Sequence, residues 1–140
     1  MKIAIVGSRN FDDYNLLKSI LKTYQQEATL IISGGAKGAD QLAEQWSLEF
    51  LNELPAVIRP DWKDISHTDA IIKEDGKGNK YDALAGLRRN KLIAQQADLI
   101  IAFWDGQSKG TKQIILYGQQ IGKNVEIIKY QEKAQLKLPF

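Results

Sequence analysis

Four short runs along the chain are apolar and rich in β-branched residues, 2–6, 29–32, 98–103 and 124–128, and the first three are continuously so. Alternating apolar and polar residues would mark strands with one wet face. Continuous apolarity marks strands covered on both faces, as in a parallel sheet. A weaker fifth run, Ala56-Val57-Ile58-Arg59, ends at Pro60. Between the runs, apolar residues recur at helical spacing. Leu16, Leu17, Ile20, Leu21 and Tyr24 form one face, and Leu42, Ala43, Trp46 and Phe50 a second. Leu84, Leu87, Ile93 and Ala97 form a third; Ile114, Ile115, Tyr117 and Ile121 form a fourth, with Gly122 placed as its C-terminal cap.

Strands alternating with helices predict an α/β sandwich of three layers around a mainly parallel five-stranded sheet. Right-handed crossovers put the strands in the order 3-2-1-4-5. The winding then reverses between the first and fourth strands, which opens a ligand crevice at their C-terminal ends. The segment from Pro60 to Asp82 breaks this rhythm. It exceeds about 15 residues, a length at which a loop in a compact domain is usually functional. Because it runs straight into the third helix, it is expected to cover the ligand site. One domain is expected over 1–130, followed by a tail at 131–140.

Three strand-end turns carry candidate chemistry. They are Gly7-Ser8-Arg9, the loop Ser33-Gly34-Gly35-Ala36-Lys37-Gly38-Ala39-Asp40, and the loop Trp104-Asp105-Gly106-Gln107-Ser108-Lys109-Gly110-Thr111. Glycine lets backbone N–H groups approach an anion, and the unpaired amides of a following helix add partial positive charge. Arg9 would hold a phosphate or carboxylate with its guanidinium, or else pair with Asp12 or Asp13. Asp40 either favours the positive end of a helix or contacts a ribose hydroxyl. Trp104 either stacks on a base or fills the core. Of the adjacent Arg88 and Arg89, one should face solvent, and Arg89 with Asn90 is taken as the ligand group. His67 has no partner histidine and no spacing that suggests a metal.

Composition narrows the setting. The 140 residues include no cysteine, so disulfides and thiolate chemistry are excluded, which fits a reducing, cytoplasmic compartment. No apolar stretch approaches the about 20 residues that span a bilayer, so no membrane partner is expected. The net charge of +2, from 19 Lys plus Arg against 17 Asp plus Glu, is dispersed and forms no basic stripe, so nucleic acid is not the expected partner.

Taken in order, several motifs resemble the YspA-like branch of the SLOG superfamily. They are Gly7-Ser8-Arg9 with Phe11 and Tyr14; Ser33-Gly34-Gly35-Ala36 with Gly38-Ala39-Asp40; Pro60-Asp61-Trp62; Ala85-Gly86 with Arg89-Asn90; Ala97-Asp98; and Ala102-Phe103-Trp104-Asp105-Gly106 with Ser108 and Gly110-Thr111. The superfamily also includes the Lonely Guy phosphoribohydrolases and the DNA-processing protein A family. The resemblance implies a Rossmann-like fold and a pocket for nucleotides or their derivatives. It adds Asp61 and Trp62 to the expected ligand residues, and it implies no cofactor and no metal. The phosphoribohydrolases carry a catalytic glutamate three residues after the threonine of their Gly-Thr motif; counted from Gly110-Thr111, that position is Ile114. Isoleucine cannot stabilise oxocarbenium-like charge or position water. The reading that follows is a protein, its assembly into a homo-oligomer left open, that senses or sequesters a nucleotide-derived small molecule such as an ADP-ribose-type compound or a cyclic nucleotide in antiphage defence or counter-defence. Two alternatives stand beside it: N-glycosidic hydrolysis using Asp40, Asp61 or Asp105, and single-stranded DNA binding.

Overall fold

The computed structural model describes residues 1–131; of the expected tail at 131–140, residues 132–140 lie outside the described residues. A parallel sheet in the order β3-β2-β1-β6-β7 is formed by β1 (Lys2–Gly7), β2 (Leu30–Ser33), β3 (Ala56–Val57), β6 (Leu99–Trp104) and β7 (Asn124–Lys129). Counted among the sheet strands alone, this is 3-2-1-4-5. The fold is Rossmann-like, with the reversal of winding between β1 and β6.

The uninterrupted apolarity of the central strands has a direct cause in their two covered faces. In β1, Ile3 and Ile5 join the core layer beneath α1 (Tyr14–Lys22) and α2 (Ala39–Trp46). Ala4 and Val6, on the opposite face, pack with residues of α3 (Ala85–Gln96) and α4 (Lys109–Gln120). β6 divides in the same way, Leu99, Ile101 and Phe103 to one layer and Ile100 and Ala102 to the other. Each fully buried Ile or Leu contributes about 1.5–3 kcal/mol relative to exposure, so both faces of these strands hold the sandwich together.

Local signals set the helix ends. Asp13 caps α1 by accepting from the Leu16 amide at 3.0 Å, a contact worth about 1 kcal/mol. Gly122, at φ +79°, ends α4 as expected. The second helix is shorter than its apolar pattern: α2 gives way to a π-helical turn, Ser47–Leu51, which closes at Asn52 in a left-handed conformation (φ 52°). Phe50 nevertheless stacks on Trp46, with ring centroids 5.5 Å apart.

The segment expected to be a covering loop is instead partly ordered as an antiparallel hairpin of β4 (Ile72–Glu74) and β5 (Lys80–Asp82). One buried carboxylate holds it down. Asp82 accepts from the amides of Ile71 (3.2 Å) and Leu84 (2.9 Å) and from Arg88 Nε (3.0 Å), while Arg88 Nη2 also reaches Asp69 at 2.6 Å. Although burial opposes ionisation, these donors keep the Asp82 carboxyl below the usual range. Arg88 is thereby spent on structure. The insert is drawn onto the N-terminal end of α3, and none of its residues lines the cleft between β1 and β6.

Candidate functional site

A cleft of about 480 Å³ opens at the C-terminal edge of the sheet, where β1 and β6 part. Three strand-end loops and α3 build it. In the first loop, the Ser8 amide extends the sheet by donating to Phe103 O at 3.1 Å, and Phe11 turns inward to stack on Phe103 at 4.6 Å. With Phe11 buried and Ser8 beneath, Arg9 and Asn10 project to solvent at the mouth. The Tyr130 hydroxyl donates to the Asn10 side chain and braces this loop.

The second loop crosses the first at van der Waals contact. Gly38 sits against the carbonyls of Ser8 and Arg9, and its N–Cα–C unit starts α2 without a side-chain cap. Two loop amides are satisfied internally, Gly35 N by Ser33 Oγ at 3.0 Å and Ala36 N by Asp40 Oδ2 at 3.1 Å. From α3, Arg89 donates through Nη1 to Gly34 O at 2.6 Å and through Nε to Asn90 Oδ1 at 2.9 Å. Of the five N–H groups of a guanidinium, three remain for a ligand.

The third loop is shaped by Asp105, whose Oδ1 accepts from the amides of Gln107 (2.9 Å) and Ser108 (2.8 Å). These donors hold the Asp105 carboxyl below its usual range. Its carboxylate therefore occupies two amides that the sequence offered to a phosphate. The next three, at Lys109, Gly110 and Thr111, open α4, which has no side-chain cap. They lie beside the Ser108 and Thr111 hydroxyls, which are 3.2 Å apart. Uncapped first-turn amides with adjacent hydroxyls form an anion site at the positive end of the helix.

The electrostatics favour an anion. Burial pushes the Asp40 carboxyl up from 3.8 to about 6, against the pull of the Ala36 amide and the Arg89 charge. Burial lowers the Arg89 guanidinium from its ordinary value; Asp40 offsets this and the neighbouring Arg9 adds to it. Arg9 and Arg89 thus line the same cleft and repel each other across it, with the Asp40 carboxyl beside them. Because Asp40 binds its proton more tightly folded than unfolded, stability falls as pH rises from about 4 to about 6 and is level above that. The shift corresponds to roughly 3 kcal/mol. Urea unfolding at pH 4.5 and 7.5 should show this loss in the wild type, and Asp40→Asn should flatten it; an unchanged slope in the variant would assign the pH dependence elsewhere.

Of the residues singled out in the sequence, the cleft brings together Gly7, Ser8, Arg9, Gly34, Ala36, Asp40, Arg89, Asn90, Asp105, Ser108, Gly110 and Thr111. Ser33, Gly35, Gly38 and Gly106 shape the loops without lining it. Trp104 does not line it either, since its indole N–H donates to Ser108 O at 3.0 Å and Lys129 lies over its ring. Asp61 and Trp62 sit with the insert, away from the cleft, because Asp82 N binds Trp62 O at 2.9 Å and ties that segment to the hairpin. His67 pairs with Asp64 at 3.4 Å on the surface. Sequence reasoning missed Asn10 and Arg59. Arg59 follows the edge strand β3 and donates to Gly35 O at 3.2 Å, placing a cation beside the second loop; its position after an apolar run and before Pro60 was the available signal.

Residues 1–137 match the family model for DNA recombination-mediator protein A. The chain belongs to this family. A curated relative, the gene 61 protein of Mycobacterium phage D29, is 27% identical over 140 residues, covering 94% of this chain and 98% of its own. Two solved structures share its fold. DNA processing protein A from Streptococcus pneumoniae superposes with a TM-score of 0.70 at 21% identity, over 95% of this chain and 52% of that one. The Helicobacter pylori protein, described for its single-stranded DNA binding mode, gives 0.66 at 18% identity, over 95% and 67%. The chain therefore spans about half the length of the Streptococcus protein.

Membership in the recombination-mediator family overturns the expected sensor of a nucleotide-derived small molecule, and with it the ADP-ribose-type ligand, the antiphage setting and the expectation that nucleic acid is not the partner. The physical reason is that strand-end amides and arginines recognise a phosphate alike in a free nucleotide and in a polynucleotide. Net charge is also a poor guide to how cations are placed around one cleft. Among the described residues, no helix is long and apolar enough to cross a membrane.

Proposed function

We propose that this chain binds single-stranded DNA, with backbone phosphates held in the cleft by Arg9, Arg89 and the first-turn amides of α4. The observation that carries this reading is the convergence of two arginines on one uncapped helix N-terminus in a member of a DNA recombination-mediator family. Repulsion between like charges that line one cleft is relieved by an anion. Among the described residues no carboxylate forms an ion pair with Arg9. A cleft of about 480 Å³ is the size of a small-ligand pocket, so it admits a nucleotide unit of an unpaired strand and not a duplex. The Helicobacter pylori relative is described as binding single-stranded DNA, which supports the same partner here.

Fluorescence anisotropy with labelled oligothymidylate tests the proposal. Binding should weaken with salt at a slope of about −0.7 per phosphate contact, and Arg9→Ala should reduce the slope by about one contact. Equal affinity for duplex and single strand, or affinity indifferent to salt, would overturn it.

A further inference from the structure

A second groove, of about 580 Å³, lies on the insert and is lined by Trp62, Lys63, Asp75, Asn79, Lys80 and Tyr81. Resting on the proposed single-stranded DNA binding, we infer that this groove is a second contact for the same strand, with an unpaired base stacked on Trp62 and flanking phosphates met by Lys63 and Lys80.

Four observations carry the inference. Trp62 is 45% exposed, an expensive way to place the largest apolar side chain unless its face has a partner. Tyr81 stands at a steep angle to it, with centroids 6.3 Å apart, and the rim atoms of the indole rest against Gly86, so the ring is held in place while nearly half exposed. An indole face accepts any base, which suits a protein that follows a backbone.

The local charge is compatible with phosphate because four of the nearby acids are engaged. Asp75 accepts from the amides of Lys77 and Asn79 and from the Asn79 side chain. Asp69 and Asp82 hold Arg88, and Asp64 holds Ser66 and His67. Among the described residues neither Lys63 nor Lys80 is in an ion pair.

Position completes the argument. The Trp62 ring lies against Gly86, 3.3 Å from where a Cβ would stand. Gly86 is three and four residues before Arg89 and Asn90, so all three share one face of α3, and the groove and the cleft are about one helical turn apart, roughly 5.4 Å along the axis. A strand leaving Arg89 reaches Trp62 without a gap.

The test compares thymidylate, a single nucleotide unit, with an oligothymidylate of about 16 nucleotides, the upper end of site sizes for single-strand binders. Trp62→Ala should weaken the oligonucleotide about ten-fold and leave thymidylate, which fills the cleft alone, unchanged; Trp62→Phe should recover most of the loss. Lys63→Gln combined with Lys80→Gln should lower the salt slope for the oligonucleotide by about 1.4, and these exposed substitutions leave the packing against Gly86 intact. Arg89→Ala should weaken both lengths. If the Trp62 and lysine variants bind both lengths like the wild type while Arg89→Ala does not, the groove is no DNA contact and the inference is overturned. If the wild type binds neither length, the single-stranded DNA reading fails and the groove falls with it.

Discussion

Gly38→Ala is expected to lower stability by roughly 2–5 kcal/mol and to abolish binding of oligothymidylate. Two effects add. At φ +80° an L side chain costs about 1–2 kcal/mol. The new Cβ would also stand 2.5 Å from Ser8 O and 2.6 Å from Arg9 O. Both atoms are backbone, so no side chain can swing aside, and forced overpacking costs a further 1–3 kcal/mol, roughly. Relief requires moving the first loop away from the second, which carries Arg9 off the cleft. Gly110→Ala is the matched control, because nothing lies within 4 Å of its added methyl. It should be neutral or stabilising by up to about 1 kcal/mol in a helix. Urea unfolding of both variants reads the difference; a Gly38→Ala protein as stable as the wild type would show that the crossing of the loops is not held by close contact.

Arg89→Ala should weaken oligothymidylate binding ten- to hundred-fold, from the loss of a charge-assisted contact worth about 1.5–3 kcal/mol. The sequence suggested a ligand group without a structural role. The structure adds one: Arg89 ties α3 to the second loop through Gly34 O and lies beside Asp40. Its removal should therefore also cost about 1 kcal/mol of stability for the hydrogen bond, and it should raise the Asp40 carboxyl further by taking away a favourable charge. Arg89→Lys should restore the charge and little of the affinity, since an ammonium cannot reach Gly34 O, Asn90 and a phosphate with one planar fork. Calorimetry at equal ionic strength checks both variants. Unchanged affinity in Arg89→Ala would move the phosphate site off this cleft.

The loops belong to the strand ends for a reason that was legible in the chain. Runs of β-branched residues broken by Gly7, by Gly34-Gly35 and by Asp105-Gly106 leave strand order and crossover handedness as the remaining unknowns, and right-handed crossovers bring those turns to one edge. Residue types at the turns then named most of the cleft, including Arg9, Arg89, Ser108 and Thr111. The partner was misread because phosphate chemistry is local, and one phosphate looks the same to an arginine whether or not a strand continues beyond it.

What the sequence by itself determined is the layered sheet, its order and the anion-binding character of its carboxyl edge, because these follow from hydrophobic period, turn chemistry and handedness, all of which act over short stretches of chain. Only the tertiary structure decided how each polar group is spent. Asp105 takes two amides that the loop offered to a ligand, Arg88 is consumed by Asp69 and Asp82 while its neighbour Arg89 enters the cleft, and Trp62 is carried by the insert to the first turn of α3, outside the cleft. Hydrogen-bond partners 19 or 55 residues apart in sequence, as for Arg88 with Asp69 and Arg89 with Gly34, are chosen by packing in three dimensions, and no local pattern encodes them.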